Sequence, residues 1–225
     1  MDAAQPARVA QATTTELGLP KNRTHPSAIV GVAEHGNSAV LVTVTRGASL
    51  LDRRRIDLTE PGTPTHPYHH EGSWAVGRYL DSPWARPVSL AEAVALVQRV
   101  THAAAVGARQ GLEALEAAVA APIAGISLRV CPRLPATIEE RIADNRAQSV
   151  ADSVMYRQAL ASAARERGWA VHWYEPDAVF RDAAQALGVA DVAVTLQAMG
   201  KAVGPPWQAK HKLAAAAAIA RVNRG

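Results

Sequence analysis

Cysteine is nearly absent from this chain, with Cys131 alone among 225 residues. That excludes an intrachain disulfide and any cysteine-rich zinc site, and it makes a reducing compartment, the cytoplasm, the default expectation. No uninterrupted apolar run reaches the roughly eighteen residues a membrane helix needs. The first residues lack the basic start and apolar block of a secretory signal, so neither membrane insertion nor export is expected. Acidic residues are missing from 201–225, which hold Lys201, Lys210, Lys212, Arg221 and Arg224. In a chain whose net charge is only +4, this end is a concentrated positive field.

What is present is ample material for a core: 48% of the residues are hydrophobic, enough for one large domain. The pI near 9.6 suits a polyanion partner and equally suits many enzymes, so charge alone assigns no function. Residues 1–27 show no sustained period and are expected to form a flexible tail before a single domain at 28–225.

From Ala28 the pattern sharpens. Ala28–Ala33 is a short apolar run closed by Glu34-His35-Gly36-Asn37, a strand followed by a turn. Val40–Thr45 is β-branched, Arg46-Gly47-Ala48-Ser49 turns it, and Leu50–Leu58 alternates, so three strands form an antiparallel meander. Residues 59–72 hold Pro61, Pro64 and Pro67, which cannot continue a ladder, and read as a surface loop. Ser89 with Glu92 caps a long helix that presents Leu90, Val94, Val97, Thr101, Ala104, Ala108, Leu112, Leu115 and Val119 on one face and ends before Pro122, with a bend expected at Gly107 or Gly111. Ile123–Val130 is the next strand. Pro135 to Arg167 reads as helical, with Ala147, Val150, Ala151, Val154 and Ala161 inward and many charges outward. Trp169–Tyr174 is a strand, a helix follows Pro176, Asp191 caps a shorter one, and a last helix follows Gly204-Pro205-Pro206. Right-handed crossovers make the strands at 28–33, 123–130 and 169–174 parallel neighbours.

This order of elements resembles the ribonuclease H-like superfamily, and its Holliday-junction resolvase branch in two local stretches. Ile29-Val-Gly-Val-Ala-Glu34 looks like that branch's first strand, and His211-Lys-Leu-Ala-Ala-Ala looks like its last helix. The resemblance implies an α/β fold with a mixed five-stranded sheet flanked by helices. It also implies carboxylates at the ends of the first and fourth strands and on the last helix, holding two divalent ions, Mg or Mn, for phosphodiester hydrolysis. The sequence departs from that pattern. The expected aspartate falls on Ala33, and Glu34, one residue late, belongs to the opposite face of the strand. The fourth strand ends Arg129-Val130-Cys131-Pro132, and the last helix offers His211 but Ala214.

Glu34, Glu175 and His211 are the candidates for a rearranged catalytic site, with Asp177 able to reach the same edge. Each has a plainer role open to it: Glu34 as a solvated turn residue, Glu175 as a charge complementing a helix start, His211 as part of a solvated basic face. Lys210, Lys212 and Trp207 are the candidates for nucleic-acid contact, with Trp207 equally readable as a packing anchor. His66, His69, His70 and Glu71 carry enough donors for one transition-metal ion if the loop gathers them. Arg53-Arg54-Arg55 alternates between strand faces and suits a guarded sheet edge, and Cys131 suits a small buried side chain. The leading expectation is a catalytically degenerate module for nucleic-acid binding or assembly. The alternatives are a metal-dependent nuclease cleaving structured DNA or RNA, and a protein-interaction scaffold using the helix at 89–121.

Overall fold

The computed structural model describes residues 27–68 and 88–222. The tail expectation for residues up to 26, the metal cluster members His69, His70 and Glu71, and Arg224 lie outside them. Strand β1 (Ala28–His35), β2 (Ser38–Thr45) and β3 (Leu50–Asp57) form the antiparallel meander. Strands β4 (Ile123–Arg129) and β5 (Ala170–Tyr174) add in parallel beside β1, so the sheet order is β3-β2-β1-β4-β5. This is the mixed five-stranded sheet flanked by helices that the ribonuclease H-like resemblance implies.

Strand parity divides the core into two layers. Val30, Val32, Leu41, Ile126 and Leu128 face one cluster, built with helices α1 (Leu90–Ala118) and α3 (Asn145–Glu166). Ile29, Ala33, Val42, Val44 and Tyr174 face the other, built with α4 (Val179–Leu187), α5 (Ala193–Val203) and α6 (Ala209–Ile219). Sheet and helices therefore stack as three layers, with both sheet faces covered.

Two helical expectations need correcting. Helix α1 starts at the Ser89–Glu92 capping box as expected, but its buried stripe is Ala93, Val97, Val100, Ala104, Ala108, Leu112 and Leu115. Leu90 is exposed and Thr101 turns its hydroxyl back to the Val97 carbonyl at 2.7 Å. The helix is continuous through Gly107 and Gly111, where the glycines admit Leu58 and Ile56. A Cβ at Gly107 would stand 2.3 Å from the Leu58 carbonyl oxygen, so the helix rides on the chain just after β3. Its apolar stripe is thus covered within this chain.

The stretch 135–167 is two helices. Helix α2 (Ile138–Ala143) has its own capping box, Thr137 with Glu140, and Asp144 then caps α3 by accepting from the amides of Arg146 and Ala147 at 2.7 and 3.1 Å. Along α3 two charged residues are buried, Asp152 and Arg157, at 4% and 5% exposure. Asp152 accepts from the Tyr68 amide at 2.9 Å, tying the loop after β3 to the helix.

Helix α6 lies across the strands. Gly31 is the reason: a Cβ there would sit 1.8 Å from the Ala214 carbonyl oxygen and 2.6 Å from the Ala218 amide. The helix backbone rests on the β1 backbone, and Ala214 to Ala218 are fully buried with no side chain large enough to hold the helix away.

Candidate functional site

The paired register of β1 and β4 ends at Gly31–Ser127. Beyond it the strand ends leave backbone groups that other residues satisfy. The Tyr174 hydroxyl donates to the Val32 carbonyl at 2.9 Å, and the Val130 amide donates to the Tyr174 carbonyl at 3.0 Å. Burial pushes the Tyr174 phenol well above its ordinary pKa, with the nearby Glu34 charge acting in the same direction.

Into this rim α3 inserts Arg157. Its Nε donates to Glu34 Oε1 at 2.5 Å, Nη1 to the Val130 carbonyl at 2.9 Å, and Nη2 to Ser153 Oγ at 3.2 Å. The Arg157 and Glu34 side chains are only 6% and 7% exposed. Glu34 is not a turn residue: β1 continues to His35, and Glu34 pairs with Ala39. Its parity is that of Val30 and Val32, so its side chain meets α3 and not α6. Taking two charges from water costs several kcal/mol per ion, which a close pair with further hydrogen bonds offsets.

A cleft of about 680 Å³ opens beside this pair, lined by Val130, Cys131, Ser153, Arg157, Glu175 and Asp177 among others. Glu175 and Asp177 are exposed on its wall. The Glu175 carbonyl accepts from the amides of Ala178 and Val179 at 3.1 and 3.0 Å, so this residue also begins the turn into α4. Burial raises the Cys131 thiol pKa, against a smaller lowering by Arg157. The thiol therefore stays protonated near neutral pH and is a poor nucleophile.

His211 is not part of this rim. It stands in the first turn of α6, on the sheet face opposite Glu34. Its Nδ1 accepts from the Gln208 amide at 3.1 Å, and its ring stacks on Trp207 with centroids 5.8 Å apart. Its pKa is lowered by burial first and by Arg53 second. Arg53, on β3, donates to the carbonyls of Gly204 and Pro206 at 2.9 and 2.6 Å, fixing the segment that leads into α6. The neighbouring arginines pair locally, Arg54 with Asp52 at 2.7 Å and Arg55 with Asp57 at 2.8 Å. The amino end of α6 thus meets the β3 side of the sheet. Glu34 and Glu175 flank Arg157, and the structure does not bring His211 to them.

Trp207 packs against Gly200, where a Cβ would come within 2.3 Å of its ring. Together with Lys201, Lys212 and Gly204 it lines an open groove of about 530 Å³. Lys201 and Lys212 are exposed and Lys210 is half-buried. The indole Nε1 is buried without a hydrogen-bond partner among the described residues. One wall of the groove is therefore aromatic and its charges are cationic.

The two-ion site that the superfamily implies does not fit these residues. Ala33 and Ala214 stand where the resemblance expects carboxylates, β4 runs out through Arg129-Val130-Cys131-Pro132 without one, and Glu34 is engaged by a guanidinium. Among the described residues, no group of three or more His, Cys, Asp and Glu side chains is placed to hold a metal ion. Also among them, no helix is long and apolar enough to cross a membrane. Arg157 is the residue of the candidate site that sequence reasoning missed. Its signal was its position three residues after Val154 and four before Ala161, both inward-facing, which puts a charge in the apolar stripe.

No protein-family model matches the sequence, and no curated protein matches it either. Among solved structures the chain is similar to Thermus thermophilus RuvC. In complex with a Holliday junction substrate, that protein matches at 14% identity and TM-score 0.48, over 88% of this chain and 93% of RuvC. A second structure of Thermus thermophilus RuvC matches at 13% identity and TM-score 0.43, over 87% and 93%. The likeness is one of chain path.

Proposed function

We propose that this chain is a ribonuclease H-like module that binds nucleic acid without hydrolysing it. The observation that carries this reading is the Glu34–Arg157 pair. The acidic group nearest the expected catalytic position is held, 7% exposed, by a guanidinium that also takes the Val130 carbonyl. A carboxylate so engaged is not available to a hydrated divalent ion, which needs several oxygen ligands at roughly 2.0–2.6 Å.

Nucleic acid is assigned to the other sheet face. Lys201 and Lys212 share a groove with the Trp207 ring, and Lys210 lies on the same first turn of α6. Cationic side chains on the first turn of a helix suit phosphate, and residues 201–225 carry no acidic residue. Measuring affinity for a four-way DNA junction, a duplex and a single strand as a function of salt tests this. The triple substitution Lys201→Ala, Lys210→Ala and Lys212→Ala should lower the slope of log K against log salt by about 2 to 3, at roughly 0.9 for each phosphate no longer neutralised. Affinity and slope unchanged in the triple variant would remove this groove from the proposal.

The competing nuclease reading draws on Glu175 and Asp177, which line the rim cleft beside Arg157. It requires Glu34 to leave its partner and two exposed carboxylates to serve as the remaining anionic ligands.

A further inference from the structure

Hydrophobic side chains left in water are ordinary one at a time and informative when they gather. Phe180 on α4 is the chain's one phenylalanine and is 42% exposed, as is Val189 just beyond the helix. Both line a groove of about 450 Å³ together with the buried Ala184 and with Asp191, and Val194, at the start of α5, is 74% exposed. The end of α4 fixes the shape of this groove. Gly188 takes a left-handed conformation, φ 66°, and its amide donates to the Gln185 carbonyl at 3.1 Å while the Val189 amide donates to the Ala184 carbonyl at 3.0 Å. This Schellman turn folds Val189 back toward Ala184, so the two walls are set before anything binds.

We infer that this groove docks on the same groove of a second copy of the chain about a two-fold axis, with Phe180 of each copy seated beside Val189 of the other. An aromatic anchor in a partner's apolar groove, with charges only at the rim, is the arrangement in which few residues carry an interface. The charges select the occupant. From 178 to 200 the only charged residues are Arg181, Asp182 and Asp191, so a polyanion finds little to hold there. Arg181 and Asp191 stand on the groove with opposite signs. A two-fold contact sets Arg181 of each copy against Asp191 of the other, so one surface supplies both halves of its own complement. Both groups have capacity to spare among the described residues. Arg181, its side chain 78% exposed, meets Asp182 through Nη2 at 3.3 Å, and Asp191 accepts the Ala193 amide through Oδ1 alone at 2.8 Å.

The pairing does not rest on nucleic-acid binding. Where nucleic acid does bind, each copy brings its own Trp207–Lys212 groove to one particle, and two linked grooves hold a long ligand more tightly than either alone.

Sedimentation equilibrium of the full chain, without nucleic acid, tests the pairing. Wild type should rise in mass with concentration from 23.8 kDa toward twice that value. Phe180→Glu should weaken association about thirtyfold or more. Arg181→Glu and Asp191→Arg should each weaken it about tenfold at low salt, because each sets like charges together twice in its own dimer. An equimolar mixture of these two variants should associate nearly as tightly as wild type, since the mixed pair opposes unlike charges at both contacts. Should Asp191→Arg melt early for want of its bond to the Ala193 amide, Phe180→Glu and Arg181→Glu decide alone. A wild type that stays at 23.8 kDa at every concentration overturns the pairing and leaves the groove to a partner of another sequence. A dimer indifferent to Phe180→Glu, or a mixture no tighter than its two folded components, overturns it as well. The nucleic-acid reading is decided separately, by the lysine substitutions.

Discussion

Arg157 Nε and Glu34 Oε1 meet at 2.5 Å although 123 residues separate them in the chain. The contact joins the end of β1 to the middle of α3. Breaking such a buried pair on one side leaves an unpaired charge and costs about 3–5 kcal/mol, whereas replacing both partners by neutral groups is often close to neutral. Urea unfolding of Glu34→Gln, Arg157→Met and the double variant should therefore be strongly non-additive. The double variant should lie within about 2 kcal/mol of wild type, nearer to it than Arg157→Met alone. Additive losses would mean that the two side chains do not form a coupled pair.

Gly31 makes a second prediction that no α6 side chain can relieve. The atoms a Cβ would strike, the Ala214 carbonyl oxygen and the Ala218 amide nitrogen, are backbone. Gly31→Ala should destabilise by about 3 kcal/mol or more, at the severe end of overpacking. Combining it with Ala214→Gly should restore nothing. A wild-type urea midpoint for Gly31→Ala would show that α6 does not rest on β1 as described.

The pH dependence follows from two histidines. His172 is lowered by burial and then by Arg221, and His211 by burial and then by Arg53, both from an ordinary value of 6.5. When the folded value is the lower one, the unfolded chain takes up the proton first as pH falls. The stability held by neutral imidazole is therefore complete above about pH 6.5 and is lost as pH drops through the folded values. For His211 protonation also has a local consequence, since a protonated Nδ1 can no longer accept the Gln208 amide. Melting temperature should fall between pH 7 and pH 5, and His172→Gln with His211→Gln should flatten that decline. An equally steep decline in the double variant would assign it to other groups.

Trp207 is expected to act more as an anchor than as a stacking platform, because its ring is held between Gly200 and His211. Trp207→Ala should destabilise the α5–α6 corner by about 2–3 kcal/mol, below the cost for a fully buried Trp. Its effect on affinity measured with folded protein should be smaller than that of the lysine substitutions. A large loss of affinity at unchanged stability would instead make Trp207 a direct contact.

Much of the sheet was legible in the sequence, because β-branched runs, turn residues and crossover handedness leave few arrangements for five strands of this order. The face of Glu34 was legible too, from strand parity relative to Ala33. Its partner was not. Arg157 sits among the charges expected to face outward although it shares the stripe of Val154 and Ala161, and only the convergence of β1, β4 and α3 reveals three acceptors waiting for it. The phase of α1 is hard to read because alanines and glycines, which make close backbone approach feasible, carry little hydrophobic weight beside Leu90 and Val94. The break at Asp144 was marked by Thr137 and Glu140, a second capping box inside a stretch whose composition is helical throughout. The placement of His211 depended on where α6 crosses the sheet, which Gly31 and the alanine run fix only in three dimensions.

The most direct measurement incubates wild-type protein and Glu34→Gln with an end-labelled four-way DNA junction in magnesium or manganese and follows retention and strand cleavage in the same samples. A non-hydrolysing module should give a retained, salt-sensitive complex whose DNA stays intact in both proteins with either ion. Cleavage by wild type that requires the ion and vanishes in folded Glu34→Gln would contradict it.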